Sequence, residues 1–120
     1  MRLDGRRALI FGVANDHSIA WGIARALHQA GATIALSYGA PNLERRVRPL
    51  ADEIGAEIVV PCDVGSDADI EAAFGAVAAR WPGIDILVHA VAFAQRDDLK
   101  NPFLQTSREG FRVALDISAY

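Results

Sequence analysis

Apolar and polar residues alternate along this chain in segments that have the lengths of short strands and amphipathic helices. Apolar runs predict four strands, at 7–13, 33–38, 57–62 and 84–90. Apolar positions at helical spacing predict helices at 18–30, 42–54 and 66–80, and a last helix from about residue 106. Because strands alternate with helices, the pattern indicates an α/β protein with a parallel, doubly wound sheet. A change of direction after the third strand predicts the strand order 3-2-1-4.

Residues typical of helix ends and loops mark several boundaries of the predicted helices. Gly31 follows the first helix, where a glycine commonly ends one. Ser66 and Asp69 form a variant of the capping box at the start of the third helix. Pro49 lies inside the second helix and is expected to kink or split it. The polar segment 95–101 is predicted to be a loop.

Composition narrows the class of protein. Of the 120 residues, 52% are hydrophobic and 22% charged, which predicts one globular domain with a modest core. A net charge of −3 without a basic stretch excludes a nucleic-acid surface, and no apolar run approaches the ~20 residues of a membrane helix. The single cysteine and three histidines lack metal-ligand spacing, so no metal site is predicted. A soluble, cytoplasmic protein is expected.

The segment between the first strand and the first helix predicts a phosphate site. Gly12 allows a sharp turn at the end of the strand, and Ser18 offers a hydroxyl where the helix begins. The N-terminus of a helix favours an anion. Gly22, one turn into the helix, is expected to let the helix pack closely on the sheet. No lysine lies nearby, which excludes a Walker-type nucleotide loop.

Two further segments are predicted to lie at the same edge of the sheet. Asp63, after the third strand, can accept a hydrogen bond from an adenine amino group, and Val64 can cover the ring. The small residues of 89–94 leave room for a sugar and a nicotinamide. Open α/β sheets bind ligands at this edge. Residues 1–120 are therefore predicted to be a Rossmann-type dinucleotide-binding domain.

Several motifs carry a resemblance to a known family. The segments GVANDHSIAWGIA, CDV, WPGIDILVHAVAFA, SREGF and DISAY occur in order along essentially the whole chain. They resemble the NADH-dependent enoyl-acyl-carrier-protein reductases, a divergent branch of the short-chain dehydrogenase/reductases. The resemblance implies reduction of the trans-2 double bond of an enoyl thioester on acyl carrier protein, in type II fatty-acid synthesis. It also implies that the full-length enzyme is a homotetramer.

The resemblance also assigns roles to individual residues. It implies that the pyrophosphate is lined by Gly12, Ala14, Ser18 and Ile19. It implies that Asp63 and Val64 hold the adenine, that Val91 and Ala92 border the nicotinamide ribose, and that Ala94 touches the acyl substrate. The chain has Gly39 where many relatives have a glutamine that reaches the adenosine ribose. Because residues 39–41 contain no arginine or lysine for a 2′-phosphate, NADH is the expected cofactor.

The larger departure from the family is that its catalytic residues are missing from this chain. Its Tyr-x6-Lys pair has no counterpart here, because the only lysine is Lys100 and the only tyrosines are Tyr38 and Tyr120. No catalytic residue is therefore predicted, and the chain is interpreted as the N-terminal part of a longer enzyme, with its domain incomplete after the fourth strand and the start of the next helix.

Three alternatives stay open. An inactive dinucleotide-binding fragment would also lack the Tyr/Lys pair. A ketoreductase is disfavoured, because the first loop is not GxxxGxG and the segment HAVAFA belongs to the reductase branch. A methyltransferase is disfavoured, because it would need an acidic residue at the end of the second strand, where 37–39 has none.

Overall fold

Strands and helices alternate along the first ninety residues. The computed structural model describes all of residues 1–120, which form two compact units, Met1–Ala90 and Val91–Tyr120. The first unit contains β1 (Arg7–Phe11), α1 (Ile19–Gln29), β2 (Thr33–Tyr38), α2 (Glu44–Glu53), β3 (Ile58–Pro61), α3 (Asp67–Ala78) and β4 (Ile86–His89). The second unit contains α4 (Arg96–Lys100) and α5 (Arg108–Ser118). Short 3-10 helices occupy Pro41–Leu43 and Phe103–Gln105.

The four strands form one parallel sheet in the order β3-β2-β1-β4, which confirms the predicted topology. In the register of the sheet, Phe11 of β1 lies beside Ser37 of β2 and His89 of β4. Residues of β1 and β2 are buried on both faces, as expected of central parallel strands. β4 pairs only with β1, and its Leu87 is 57% exposed.

Opposite faces of the sheet are covered by different helices. Ile10 and Leu36 belong to a core that also contains Trp21 of α1 and Val47 of α2. Adjacent strand residues point to opposite faces, and Phe11 stacks on Phe74 of α3 with ring centroids 5.9 Å apart. Each such buried side chain contributes about 1.5–3 kcal/mol to folding.

Gly31 and Ser66 lie at helix ends as predicted, but the expected break at Pro49 does not occur. Gly31, which follows the C-cap Ala30 of α1, has a φ of +102°, and the Ser66 hydroxyl accepts a hydrogen bond from Asp69 N–H at 3.2 Å. α2, however, continues through Pro49. Interior proline costs about 3 kcal/mol, but Val47 and Ala51, two positions before and after it, are buried in the core. Their packing holds the helix together, so the expected split does not occur.

The structure corrects two other predictions. Gly22 is exposed, and a Cβ atom built there would meet no atom within 4 Å. The residues that α1 buries are Ala20, Trp21 and Ala24, so its helical period turns Gly22 to solvent. Gly22 therefore has no role in packing α1 on the sheet. The predicted loop 95–101 contains α4, a helix too short to show an apolar period.

In the second unit, α4 approaches the start of α5 closely. Ser107 caps α5 by accepting a hydrogen bond from Gly110 N–H at 2.9 Å. A Cβ atom at Gly110 would collide with the Asp98 carboxylate, so any other residue here would require that side chain to move. Several large apolar side chains of the unit are exposed, namely Leu99, Phe103, Leu104, Phe111 and Leu115. In neither unit does a helix have the length and apolar character needed to cross a membrane.

Candidate cofactor-binding site

Hydrogen bonds between strand ends bring three loops to one edge of the sheet. Gly12 N–H donates to the Ser37 carbonyl at 3.4 Å, and Cys62 N–H donates to the Tyr38 carbonyl at 2.9 Å. The carboxyl ends of β1, β2 and β3 are therefore level with one another. Gly12 and Asp63, which the sequence singled out, lie at this common edge.

The first of these loops turns away from the sheet immediately after β1. Gly12 has a φ of +107°, a backbone conformation that is strained for residues with a Cβ atom. The next residue, Val13, is 1% exposed and anchors the loop in the core. A glycine is thus required here, as predicted.

Ser18 holds the rest of this loop in shape. Its Oγ accepts hydrogen bonds from Ala14 N–H at 3.0 Å and from Asn15 N–H at 3.1 Å. A serine hydroxyl also carries one hydrogen to donate, and none of the hydrogen bonds of the Ser18 side chain within the chain uses it. The hydroxyl can therefore donate to an anion while its oxygen supports the loop.

The start of α1 supplies further donors beside Ser18. The Ser18 side chain makes no capping hydrogen bond to the helix. The first N–H groups of a helix have no partner within it, and together with the helix dipole they attract phosphate. Ile19, the first residue of α1, is 80% exposed although it is large and apolar. This end of α1 thus offers both polar donors and an apolar surface to a ligand.

A second turn closes the middle of the loop. The Asn15 side-chain oxygen accepts a hydrogen bond from His17 N–H at 2.8 Å. The His17 side chain is 91% exposed, as a solvated loop histidine should be. Because the loop is already ordered by these bonds, a ligand would not have to supply the free energy for ordering it.

The turn after β3 presents Asp63. Asp63 Oδ1 accepts a hydrogen bond from Gly65 N–H at 2.8 Å, and Asp63 N–H donates to Asp69 Oδ2 at 2.9 Å. Oδ1 is thus used within the turn, and only Oδ2 has no hydrogen bond within the chain. Asp63 is exposed and Val64 is half-buried beside it. An acceptor atom next to an apolar side chain suits one edge and one face of a purine ring.

The sequence did not indicate that the Asp69 side chain belongs to the turn after β3. The Ser66-x-x-Asp69 pattern indicated only a helix cap, whereas Asp69 also fixes the backbone of a residue six positions earlier.

The remaining predicted site residues belong to the second unit. Val91 and Ala94 are half-buried and Ala92 is exposed, in the segment that precedes α4. Phe93, in the middle of this segment, is held at its backbone by the Ser118 hydroxyl of α5.

Two ionisable residues at the edge of the sheet, Cys62 and Tyr38, are held in their neutral forms. Burial raises the pKa of the Cys62 thiol, with the carboxylates of Asp69 and Asp63 adding to the effect. Burial likewise raises the pKa of Tyr38, with a further contribution from Glu44. Both groups are therefore neutral at physiological pH, and neither is a nucleophile or a base. No three His, Cys, Asp or Glu side chains are grouped to hold a metal ion.

Beside the first loop lies an open cavity of about 450 Å³. Its lining consists of Asn15, Asp16, His17, Arg46 and Leu50. Arg46 lies in the first turn of α2. It is the only side chain in this lining that is always positively charged.

Comparison with known proteins agrees with this geometry. The family described as Enoyl-(Acyl carrier protein) reductase matches residues 12–120. The chain is 48% identical over 118 residues to the NADH-dependent enoyl-[acyl-carrier-protein] reductase FabI of Aquifex aeolicus, covering 98% of this chain and 44% of the relative. It is 49% identical over 118 residues to enoyl-[acyl-carrier-protein] reductase [NADH] 1 of Rhizobium meliloti, covering 98% of this chain and 43% of the relative.

Solved crystal structures of such reductases also match the fold of this chain closely. The crystal structure of the Aquifex aeolicus reductase superposes with a TM-score of 0.93 at 47% identity, covering 96% of this chain and 46% of that one. The Bacillus cereus enoyl-acyl carrier protein reductase, solved with NADP+ and indole naphthyridinone, gives 0.93 at 47% identity, covering 99% of this chain and 48% of that one. The chain spans a little under half the length of the relatives that it matches. Its matched segment, its sequence identity and its fold together establish that the chain belongs to the enoyl-(acyl carrier protein) reductase family.

Proposed function

We propose that this chain forms the NADH-binding part of an enoyl-acyl-carrier-protein reductase. The enzyme would reduce the trans-2 double bond of an enoyl thioester carried on acyl carrier protein. The observation that carries the proposal is the Ser18 hydroxyl, which braces the first loop through its oxygen and keeps its hydrogen for an anion at the start of α1. Membership of the family supplies the identity of that anion, the pyrophosphate of NADH.

The pyrophosphate would lie against Gly12, Ala14, Ser18 and Ile19. Gly12 supports this role because its positive φ turns the chain away and leaves space above the end of β1. The Ser18 hydroxyl and the first N–H groups of α1 would donate to the phosphate oxygens. The exposed Ile19 side chain would be covered by the cofactor.

The two ends of the cofactor would bind to different segments. The free Oδ2 of Asp63 would accept a hydrogen bond from the adenine amino group, and Val64 would cover the ring. Val91 and Ala92 would border the nicotinamide ribose, and Ala94 would touch the acyl chain. Small side chains at 92 and 94 support this assignment, because they let ligands approach the backbone.

Bound NADH would supply a hydride to the β-carbon of the enoyl thioester. The resulting enolate needs a proton or an electrophile. Residues 1–120 hold no Tyr-x6-Lys pair for this step, and Tyr38 is buried in the core. The residues of this chain would therefore bind and orient the cofactor, and proton donation would depend on other parts of the protein.

The assembly and location implied by the family are part of the same proposal. A homotetramer is supported by the apolar side chains exposed on the second unit, which include Leu104 at 94% and Phe103 at 87%. A cytoplasmic location accords with the use of NADH and of an acyl-carrier-protein substrate. Analytical ultracentrifugation of the whole enzyme and cell fractionation test these two points.

The central test is titration of the chain with NADH by isothermal calorimetry. We expect saturable binding, weakened about tenfold by Ser18→Ala, because that change removes a donor to the phosphate and two bonds within the loop. Ser107→Ala is the matched control, since it also removes a hydroxyl that accepts a backbone N–H, at the start of α5. Failure of the wild-type chain to bind NADH, or equal affinity in the Ser18 variant, would refute the proposal.

A further inference from the structure

One hydroxyl in the second unit binds both polar backbone groups of a single residue. Ser118 Oγ accepts a hydrogen bond from Phe93 N–H at 3.0 Å and donates to the Phe93 carbonyl at 3.2 Å. The two residues are 25 positions apart. Phe93 itself is flanked by Ala92 and Ala94, neither of which takes part in these bonds.

This arrangement determines which way the neighbouring backbone faces. The segment 91–95 contains no turn or bend. In a trans peptide group the C=O of one residue points to the side opposite to the N–H of the next residue, and the chain has no cis peptide bond. Because Ser118 takes both groups of Phe93, the carbonyl of Ala92 and the N–H of Ala94 are directed away from it.

We infer that Ser118 is a positioning residue for the wall of the nicotinamide and acyl site. It acts through Phe93, by setting the side of the segment that Ala92 and Ala94 present to the ligand. This inference rests on the proposed function, which assigns Ala92 to the nicotinamide ribose and Ala94 to the substrate. Backbone dihedral angles at 92–94 would otherwise be free to vary, and a ligand would have to order them.

A purely structural role is the competing explanation, in which Ser118 only fastens the end of α5. Local positioning and general stabilisation differ in which part of the cofactor they affect. ADP contains the adenine end and the phosphates, which the proposal assigns to Gly12, Ser18 and Asp63 of the first unit. NADH adds the nicotinamide end. Loss of positioning should therefore weaken NADH and leave ADP unchanged, whereas general destabilisation should weaken both.

The experiment compares four forms of the chain, namely wild type, Ser118→Ala, Ser118→Thr and Thr106→Ala. The Thr106 hydroxyl donates a hydrogen bond to the Phe103 carbonyl at 2.7 Å and does not contact Phe93 through it. Thr106→Ala therefore removes one hydrogen bond of a hydroxyl elsewhere in the same unit. Affinities for NADH and ADP are measured by calorimetry, and exchange of the Phe93 amide hydrogen by NMR. The exchange measurement needs no ligand.

We expect Ser118→Ala to speed Phe93 exchange about tenfold and to raise the Kd for NADH about two- to tenfold, with the Kd for ADP unchanged. Ser118→Thr keeps the hydroxyl and should restore both values, and Thr106→Ala should match the wild type. Unchanged Phe93 exchange, unchanged NADH affinity, or equal weakening of NADH and ADP in Ser118→Ala would overturn the inference. Absence of NADH binding in the wild type would instead overturn the proposed function on which it rests.

Discussion

Asp69 Oδ2 accepts a hydrogen bond from Asp63 N–H at 2.9 Å, across the turn between β3 and α3. The other carboxylate oxygen of Asp69 lies 3.2 Å from the Ser66 hydroxyl, which caps the helix. The cap of α3 and the turn that presents Asp63 are therefore one hydrogen-bonded structure. Any weakening of the cap should also disturb the candidate adenine site.

Two substitutions at Asp63 separate binding from folding. Asp63→Asn keeps an oxygen for Gly65 N–H but replaces the free oxygen with an amide N–H₂, which cannot accept from adenine. We expect the Asn variant to melt like the wild type and to raise the Kd for NADH about two- to tenfold. Asp63→Ala should show the same loss of affinity and in addition a slightly lower melting temperature. Full affinity in both variants would show that Asp63 has only a structural role.

NADH should bind more tightly than NADPH. Residues 39–41 offer no cation to a 2′-phosphate. Arg46, the one arginine that lines the cavity beside the first loop, shares that cavity with Asp16. We expect at least tenfold discrimination, which corresponds to about 1.4 kcal/mol. Arg46→Ala should weaken NADPH further and leave NADH unchanged. Parallel titrations with both cofactors check this, and tighter binding of NADPH would reverse the assignment.

Acid should weaken the junction of β1 with β4. Asp85 accepts hydrogen bonds from Arg7 N–H at 2.8 Å and from the Arg6 guanidinium at 3.1 Å, and these two bonds lower the pKa of the Asp85 carboxyl. A lowered folded-state pKa stabilises the fold above the unfolded value, near 4, and this contribution is lost as pH falls through the folded value.

Urea unfolding between about pH 2 and pH 7 tests this effect. Asp85→Asn should unfold at lower urea than the wild type at pH 7, and the two proteins should converge below about pH 4. Asp52→Asn is the control, because the Asp52 side chain makes no hydrogen bond or ion pair, and this variant should unfold at the same urea concentration as the wild type at pH 7. A constant difference between Asp85→Asn and wild type at all pH values would contradict the role of ionised Asp85.

Residues 1–120 alone should show no enoyl reductase turnover and should self-associate. They hold no Tyr-x6-Lys pair, and β4 pairs on one side only while Leu87 exposes 57% of its surface. An open edge of this kind is a template for pairing between copies. Size-exclusion chromatography with an enoyl-thioester assay provides the measurement. Leu87→Lys should shift the profile towards monomer, and a monodisperse wild-type monomer with turnover would contradict both expectations.

Local patterns were enough to predict most of the fold. Each strand of the sheet coincides with an apolar run, and Gly12, Gly31 and Ser66 act where their conformational or hydrogen-bonding preferences place them. The errors have physical causes. The low helix propensity of Pro49 was outweighed by the burial of Val47 and Ala51. The exposure of Gly22 depends on the rotation of α1 about its axis, which a glycine pattern alone does not specify.

The site was less predictable than the fold because its hydrogen bonds join distant residues. Motifs selected Ser18 and Asp63, but they gave no indication that Ser18 braces its own loop or that Asp69 holds Asp63. Still less could they show that Ser118 binds the backbone of Phe93, since nothing local links the two segments. Such contacts become visible only when the chain is folded.

Strand order also has a consequence for how the chain folds during synthesis. β1 is a central strand, and its partner β2 begins only 22 residues after β1 ends, whereas the residues of β4 lie 78 positions after those they pair with. At about 5–20 residues per second, a ribosome needs several seconds to supply that second neighbour. During this interval one side of β1 has no strand to pair with, and long-range pairing of this kind is slow in itself. Closure of β4 onto β1 is thus the last pairing step of this sheet during synthesis.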